Sequence, residues 1–512
     1  MSILPPAPAP HRAGPRFACA PWHDQHPNRR ALEARLSQDH LARTIEAAVQ
    51  RLDLSALDAA YAGTGSDPYP PALLLRAVLF ATRRGVHSPA TWFRDAHECE
   101  PVRWLLRGCC PSRSCWYAFR DRLAPVLTVL NAQPLQAAIH QGLTPATRGA
   151  ADGTLVAANA SRHHLLNETR LDGRLTELAA ALTADAQGQL PAAVPSWMAQ
   201  GPHSRQHQHR RFCQARQELS TRHGRNQRKT PSKRTARSRV VISASDPEAA
   251  LGLDKEKVFR PLYNVQLIDD LDTPFILSYA VFAQPNDAGL VGALLLRAQE
   301  LLGQRLRELL ADTAYVGGAD LQAAATAGVT VYGPLPKETS GQGKHLPKSQ
   351  FRWLAAEQTY VCPQGQRLHL EAEGKAKRSS GEVVVLRRYR CAPEHCGACP
   401  VQAACTPKPQ TGRTVSRSEH EEEIEALRER MGSDEAQALY KLRRQSVELV
   451  NADWKTHRKL RRFSGRGLVR VRCQVGLMVL AHNLLTLLHE ETKAKAAAAA
   501  AAAAVNAAQI AT

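Results

Sequence analysis

The chain has 512 residues, enough for several domains and at least one sizeable hydrophobic core, and with 44% hydrophobic and 5% aromatic residues its composition is globular. Its 67 Lys and Arg against 47 Asp and Glu leave a formal charge of +20, which points to a polyanionic partner, with nucleic acid the commonest one. Residues 1–20 are Pro-rich, carry Arg12 and Arg16 and lack the apolar run of a signal peptide. The longest apolar stretch, residues 475–488, is interrupted by Gly476, His482, Asn483 and Thr486, and so reads as a buried helix rather than a membrane span. A cytoplasmic protein is expected, whose twelve cysteines are not structural disulfides.

In chain order, residues 1–27 read as disordered and residues 28–145 as a helical domain, with Pro70-Pro71 opening the run Leu73-Leu74-Leu75, Val78-Leu79-Phe80. Within it Trp116, Tyr117, Phe119, Arg120 and Arg122 combine aromatic and basic character, which suits a DNA surface or core packing alike. Residues 146–336 read as α/β. A short strand is expected over 154–160, just after Asp152 and Gly153, followed by a basic insert over 163–240 that begins with a helical piece at 175–182. Between Arg205 and Arg239 stand twelve Lys and Arg against the single acid Glu218. That tract reads as a solvated loop or as an arm that orders on DNA phosphates, with Arg225, Arg228, Lys229, Lys233 and Arg234 as its candidate contacts.

Strands at 263–268 and 275–282 are expected, joined by a turn at 269–272. A helix over 288–302, a short strand ending at Asp312, a helix after Gly317-Gly318 and a strand at 329–332 complete a mixed sheet covered by helices. Residues 337–415 form a cysteine-rich insertion and residues 416–490 return to helix. The tail, 491–512, carries an Ala run at 496–504 that reads as a frayed helical extension.

Three acids stand out by context: Asp152 at the edge of a strand, Asp312 at the end of another, and Glu448 on a helix. Stepping 100° per residue puts Leu439, Leu442, Leu449 and Val450 on one side of that helix, with Arg444, Glu448, Asn451 and Lys455 in an arc roughly opposite. Ser433 is placed to cap the helix, with Asp434 and Glu435 in its first turn. Carboxylates from separate chain segments are the ligands with which two Mg²⁺ ions, about 3.5–4 Å apart, assist phosphoryl transfer. Arg444 and Lys455 beside them suit DNA phosphates. Strand-end Asp and helix-surface Glu residues are also common as solvated groups. No Gly-rich phosphate loop of the ATPase type is present, so ATP is not required.

Cys396 and Cys399 have the two-residue spacing that lets both thiolates bind one tetrahedral ion. Cys362 and Cys405 would complete a four-cysteine zinc site, with Cys391 as a fifth candidate. Reduced, unligated thiols are the alternative.

The strings Asp152-Gly153-Thr154 with Ala158-Asn159-Ala160-Ser161, Tyr263-Asn264-Val265-Gln266, Asn286-Asp287 and Ala311-Asp312-Thr313-Ala314-Tyr315 resemble successive blocks of bacterial insertion-sequence transposases of the DDE class. The series Tyr440, Arg444, Glu448, Lys455 resembles that family's signature around its catalytic Glu, and Arg461-Arg462-Phe463 and Ala481-His482-Asn483-Leu484 extend the match. Residues 52–54, 69–74, 85–88 and 111–120 resemble the helical domain that precedes the catalytic core. Tyr440 and Arg444 stand one residue further apart than in the usual signature, a spacing that Arg443 restores. Thr313 and Val316 also depart from the family pattern.

The resemblance implies an α/β fold: a ribonuclease H-like mixed sheet flanked by helices, preceded by an all-α domain and interrupted by the cysteine-rich insertion. Asp152, Asp312 and Glu448 would be the Mg²⁺-binding triad. The implied activity is cleavage at insertion-sequence ends and strand transfer into target DNA. Double-stranded DNA, both terminal repeats and target, would be the partner of a homodimer in a synaptic complex, working in the cytoplasm at the nucleoid. The rival is a DNA-binding protein derived from a transposase and no longer catalytic; a nuclease that cuts without joining is a more distant third.

Overall fold

The structure, a computed structural model, describes residues 15–61, 66–189, 194–336, 345–377 and 383–510. The N-terminal part is helical: α1 (Pro27–Glu33), α2 (Leu41–Gln50), α3 (Ser55–Asp58), α4 (Pro71–Arg83), α5 (Pro89–Glu98), α6 (Glu100–Leu105), α7 (Arg113–Leu123) and α8 (Leu127–His140). Pro71 opens α4, where a missing N–H leaves nothing unpaired, and the Leu/Val/Phe run behind it is buried on all sides. Trp116 and Phe119 are fully buried, with Trp92 edge-on to Trp116 at 6.2 Å, so core packing rather than a DNA surface accounts for them. At the base of this bundle Glu46 takes Arg29, Arg76 and Arg107 at 3.2, 2.8 and 3.3 Å.

Disorder to residue 27 is not met where the chain is described. Ala18 N donates to Pro68 O and Trp22 N to Arg107 O, both at 2.9 Å, and the Trp22 ring lies over Gly108, where a Cβ would come within 2.6 Å of it. Residues 1–14 lie outside the described residues.

The sheet follows. Its strands, with their neighbours in chain order, are β1 (Arg148–Ala157), the small pair β2 (Leu165–Leu166) and β3 (Ile242–Ser243), then β4 (Ala250–Leu253), β5 (Phe259–Asp270), β6 (Ile276–Phe282), β7 (Glu308–Leu310) and β8 (Thr330–Tyr332). Long β5 takes β1 on one edge and both β4 and β6 on the other, all antiparallel; β7 and β8 then add in parallel beyond β1. The order β6-β5-β1-β7-β8 thus joins an antiparallel meander to a parallel pair. Parallel strands require crossovers, supplied by α11 (Val291–Leu302) and α12 (Gly318–Thr326). α11 ends at Gly303, whose φ of +71° is the left-handed cap that glycine adopts most readily. Asp269 and Asp270 belong to β5, so the expected 269–272 turn starts later, at Leu271.

Two insertions hang from this frame. Between β2 and β3 stand α9 (Glu168–Ala186) and α10 (Pro202–Gln227), and between β8 and the last helices stands a five-stranded antiparallel sheet ordered β13-β12-β11-β10-β9. Its strands are β9 (Arg352–Leu354), β10 (Thr359–Val361), β11 (Arg367–Lys377), β12 (Val383–Cys391) and β13 (Thr414–Ser418), with the short helices α13 (Pro393–Gly397) and α14 (Gln402–Cys405) before β13. The basic tract is therefore largely helix rather than loop. Phe212, Ala215 and Leu219 of α10 bury against Leu171, Leu178 and Ala181 of α9, a stripe that the surrounding Arg and His residues hide in the sequence.

The chain closes with α15 (Glu421–Arg430), α16 (Asp434–Lys441), α17 (Arg443–Thr456) and α18 (Leu468–Ile510). α18 is long and apolar enough to cross a bilayer, but most of its apolar stretch is buried within the protein. Its Val475, Met478 and Val479 join the core around the sheet, while Leu477, Leu480 and Leu484 join the core of the N-terminal helices. A helix apolar all round is one that is covered all round. The Ala run at 496–504 continues it as exposed helix.

The fully buried Asn483 of α18 covers the outer edge of β6, accepting from Ile276 N and donating to Ile276 O, both at 2.9 Å. Each buried backbone group left without a partner costs about 1–3 kcal/mol, so Asn483→Leu is expected to lower the unfolding free energy by about 2–6 kcal/mol in chemical denaturation. A change below about 0.5 kcal/mol, the range of surface substitutions, would show that the edge is satisfied without it.

Candidate active site

β1 lies inside the sheet, between β5 and β7, and its side chains alternate between the two faces. Ala150 packs with Leu310 and Val447 of α17, which sets the face that α17 covers, and Asp152 shares it. Asp152 stands well within the strand, opposite Leu267, not at its edge as expected. β7 ends at Leu310, in register with Ala150, and two residues on Asp312 accepts from Ala314 N at 2.8 Å, capping the next turn.

Helix α17 brings these two acids into one site. Arg443 Nη2 lies 3.1 Å from Asp152 Oδ1 and 4.0 Å from Asp312 Oδ2, and also donates to Ala151 O at 3.1 Å. Asn451 Nδ2 donates to the other oxygen of Asp152 at 2.7 Å. Burial pushes the Asp152 carboxyl above the ordinary carboxylate range, opposed by Arg443, by Lys255 and by the backbone N–H of Gly153. Lys455 is partly buried nearby, and burial, with Lys255, holds its ammonium below the usual lysine range.

The buried stripe of α17 is not the expected leucine side. Leu442 and Leu449 are 38% and 68% exposed, whereas Val447, Asn451 and Trp454 are buried and Arg443 is nearly so. The expected wheel ran one continuous helix through Leu439, but the helix breaks at Leu442, between α16 and α17. The face it turns inward must also meet a carboxylate, which leucine cannot satisfy. Ser433 caps α16 as expected, accepting from Ala436 N. Arg444 is exposed. The backbone of α17 carries Glu448 one residue past Val447; its side chain lies outside the described residues.

Arg443, Asn451, Lys255 and Asp269 are the site residues that sequence reasoning passed over. Arg443 entered only as a matter of spacing, and Asn451 only as part of a polar arc. Lys255 sits on the β4–β5 turn, about 100 residues from anything it serves. Asp269 pairs with Ala150 across β5 and β1, hence on the Asp152 face, and neither carboxylate oxygen has a hydrogen-bond partner. Burial, Asp152 and Asp270 all push it well above the ordinary range. The signal was alternation: Leu267 and Asp269 share a face, so a strand would turn that acid inward.

The opposite face of β1 is built from the other family-like blocks. Asn264 and Gln266 both donate to Asp287 Oδ1, at 2.7 and 2.6 Å, and the Tyr315 hydroxyl donates to Gln266 Oε1. Gly153 is in register with Gln266, and a Cβ there would fall 2.3 Å from Gln266 Nε2. At the end of β1, Asn159 Nδ2 donates to Ser464 O at 2.7 Å and Phe463 N to Ala157 O at 2.9 Å. Blocks spread over 300 residues of chain thus meet around one strand.

Arg225, Arg228, Lys229, Lys233 and Arg234 are all exposed at the C-terminal end of α10 and just beyond it. Arg222 ties that end to the core through Val241 O, Pro247 O and Ala249 O. Cys362, Cys391, Cys396, Cys399 and Cys405 line a single pocket in the β insertion. Among the described residues no three acidic, His or Cys donors stand at the separations that a bound ion would impose.

Two family models match the chain: one described as a transposase DDE domain over residues 361–488, which takes in the cysteine cluster, α17 and the buried half of α18, and one described as a transposase domain (DUF772) over residues 30–122, in the N-terminal helices. No curated protein and no solved structure matches it.

Asp269 yields a sign-definite test. Its folded pKa lies above the unfolded value, so the stability it contributes is present below the ordinary carboxyl range and is lost as pH rises toward the folded value. Asp269→Asn is expected to remove that decline, up to about 1.4 kcal/mol per pH unit, from denaturation measured across the acid-to-neutral range. An unchanged slope would mean that this carboxyl is solvated or paired.

Proposed function

The chain belongs to the DDE transposases of insertion sequences, and from that premise we propose that it cleaves the ends of its element and joins them to target DNA at a site made by Asp152, Asp312 and Glu448. The observation that carries this reading is the convergence of β1, the end of β7 and α17 on one face of the sheet, where a single guanidinium reaches both aspartates. The sheet order, an antiparallel meander followed by two parallel strands with crossover helices, supports a ribonuclease H-like core.

The residues present fit a hard divalent cation. Two carboxylates face each other across Arg443, and further buried oxygens, Asn451 Oδ1 and both of Asp269, have no donor. Asp152, Asp312 and Glu448 would hold Mg²⁺, which when bound supplies the Lewis acidity that activates the attacking oxygen and stabilises the leaving one.

The chain's own part is positioning. Asn451 and Arg443 fix the Asp152 carboxylate, and the network of Asn264, Gln266, Asp287 and Tyr315 holds β1 from behind. Lys255, Lys455 and Arg444 give the mouth of the site positive charge for DNA phosphates, and the exposed cations from Arg225 to Arg234 extend it along the duplex. Water would attack a phosphodiester at each element end, releasing a 3′-OH that then attacks target DNA in line. Each step forms one P–O bond and breaks another, with no covalent protein intermediate. Two element ends held together would engage two copies of the chain, acting on chromosomal DNA in the cytoplasm. The cysteine cluster of the β insertion stands apart from this chemistry.

The test is Mg²⁺-dependent cleavage and strand transfer on duplexes carrying the element's own terminal repeats, wild type against Asp312→Ala. Wild type is expected to give both products, with the variant binding the DNA but slower by at least about a hundredfold, since metal placement is worth several kcal/mol in the transition state. DNA bound by both proteins and cut by neither, in Mg²⁺ or Mn²⁺, would overturn the enzyme reading and leave a DNA-binding protein.

A further inference from the structure

The β insertion has a small core. Phe351, Tyr360, Leu368, Tyr389 and Val415 bury together, and the remaining buried members of the cluster are Cys391, Cys396 and Cys405. The short helices α13 and α14 each bury one residue, and in both it is a cysteine: Cys396 in the first, Cys405 in the second. Helices of five and four residues are unstable in isolation and here have almost no apolar face to dock. A module of this size with so little core is one that a cross-link or a structural metal holds together.

The cysteines come from three chain segments to one pocket, and the backbone is already shaped around their sulfurs. Cys362 opens the β10–β11 turn, in which Cys362 N donates to Gln366 O at 2.8 Å and Gly365 N to Cys362 O at 2.9 Å, with Gly365 at φ +80°. That turn aims Gln366 N at Cys362 Sγ, 3.3 Å away. Arg413 N donates to Cys396 Sγ at the same distance, 3.3 Å. An amide N–H directed at sulfur favours the thiolate, the form that binds metal. Arg413 also reaches Cys405 O at 2.9 Å, keeping its guanidinium beside the cluster, where it would offset the net negative charge of a four-thiolate zinc centre.

We infer that Cys362, Cys396, Cys399 and Cys405 bind one structural zinc ion that fastens α13 and α14 to the turn after β10, with Cys391 a neighbouring thiol outside the ligand set. Cys399 follows Cys396 at the spacing that two thiolates need to share a tetrahedral ion. The thiols are not yet at metal-bonding separation among the described residues, so binding draws the two short helices inward. Nothing in this inference depends on the catalytic reading, because every residue it uses belongs to the β insertion.

The experiment is elemental analysis of the full chain purified without chelators, together with Co²⁺ exchange read by absorption. One zinc per chain, replaced by cobalt with thiolate-to-cobalt charge-transfer bands, is expected. Cys396→Ser should lose the metal, while Cys391→Ser and the exposed Cys110→Ser should keep it. Wild-type protein with no zinc and no cobalt bands, or with a Cys396–Cys399 disulfide, would overturn the inference. Loss of zinc from Cys391→Ser with the fold intact would overturn the assigned ligand set. The wild-type stoichiometry stands even if a cysteine variant fails to fold.

Discussion

A carboxylate drawn largely out of water must find partners, and the partial burial of Asp152 against the sheet is the constraint on which the arrangement around it depends. β5 flanks it on one side, β7 pairs only with Arg148–Ala150 and stops short of it, and the Asp152 side chain is 21% exposed. Its partners have to come from above, and α17 brings them as Arg443 and Asn451. That need explains why the inward face of α17 is polar at two positions and why Leu449 is left outside. It also explains the break at Leu442: α16 and α17 are separate helices, and α17 starts at Arg443, the residue that must reach two aspartates.

The rest of the chain keeps this contact in place. α18 seals the far edge of the meander through Asn483 and is shared by two cores, so the N-terminal helices and the sheet do not form independent bodies. The insertions leave the frame intact because each begins and ends at neighbouring points. The α9–α10 hairpin is pinned at its root by the β2–β3 pair, and the β insertion leaves after β8 and returns through β13 to α15. Both can carry charge or metal without altering the register of β1.

What the sequence made legible follows from which signals are local. Strands β5, β6 and β8, helix α11 and the buried nature of 475–488 were readable because apolar runs and turn residues mark them within a few positions. Asp312 was readable because a short apolar strand ends just before it. The α10 helix was not: its buried Phe212, Ala215 and Leu219 are spaced among so many Arg, His and Gln residues that charge outweighs periodicity. Arg443, Lys255 and Asp269 were missed for another reason. Each matters only through a partner far away in sequence, and no window along the chain contains both members of such a pair.

The most direct measurement of the central claim is anomalous scattering from Mn²⁺ in crystals of the protein bound to its terminal DNA. The account predicts manganese between Asp152 and Asp312, within bonding distance of both carboxylates and of Glu448, with the scissile phosphate against it. Manganese absent from that cleft while DNA is bound, or held elsewhere on the chain, would contradict the claim that β1, β7 and α17 build the active site.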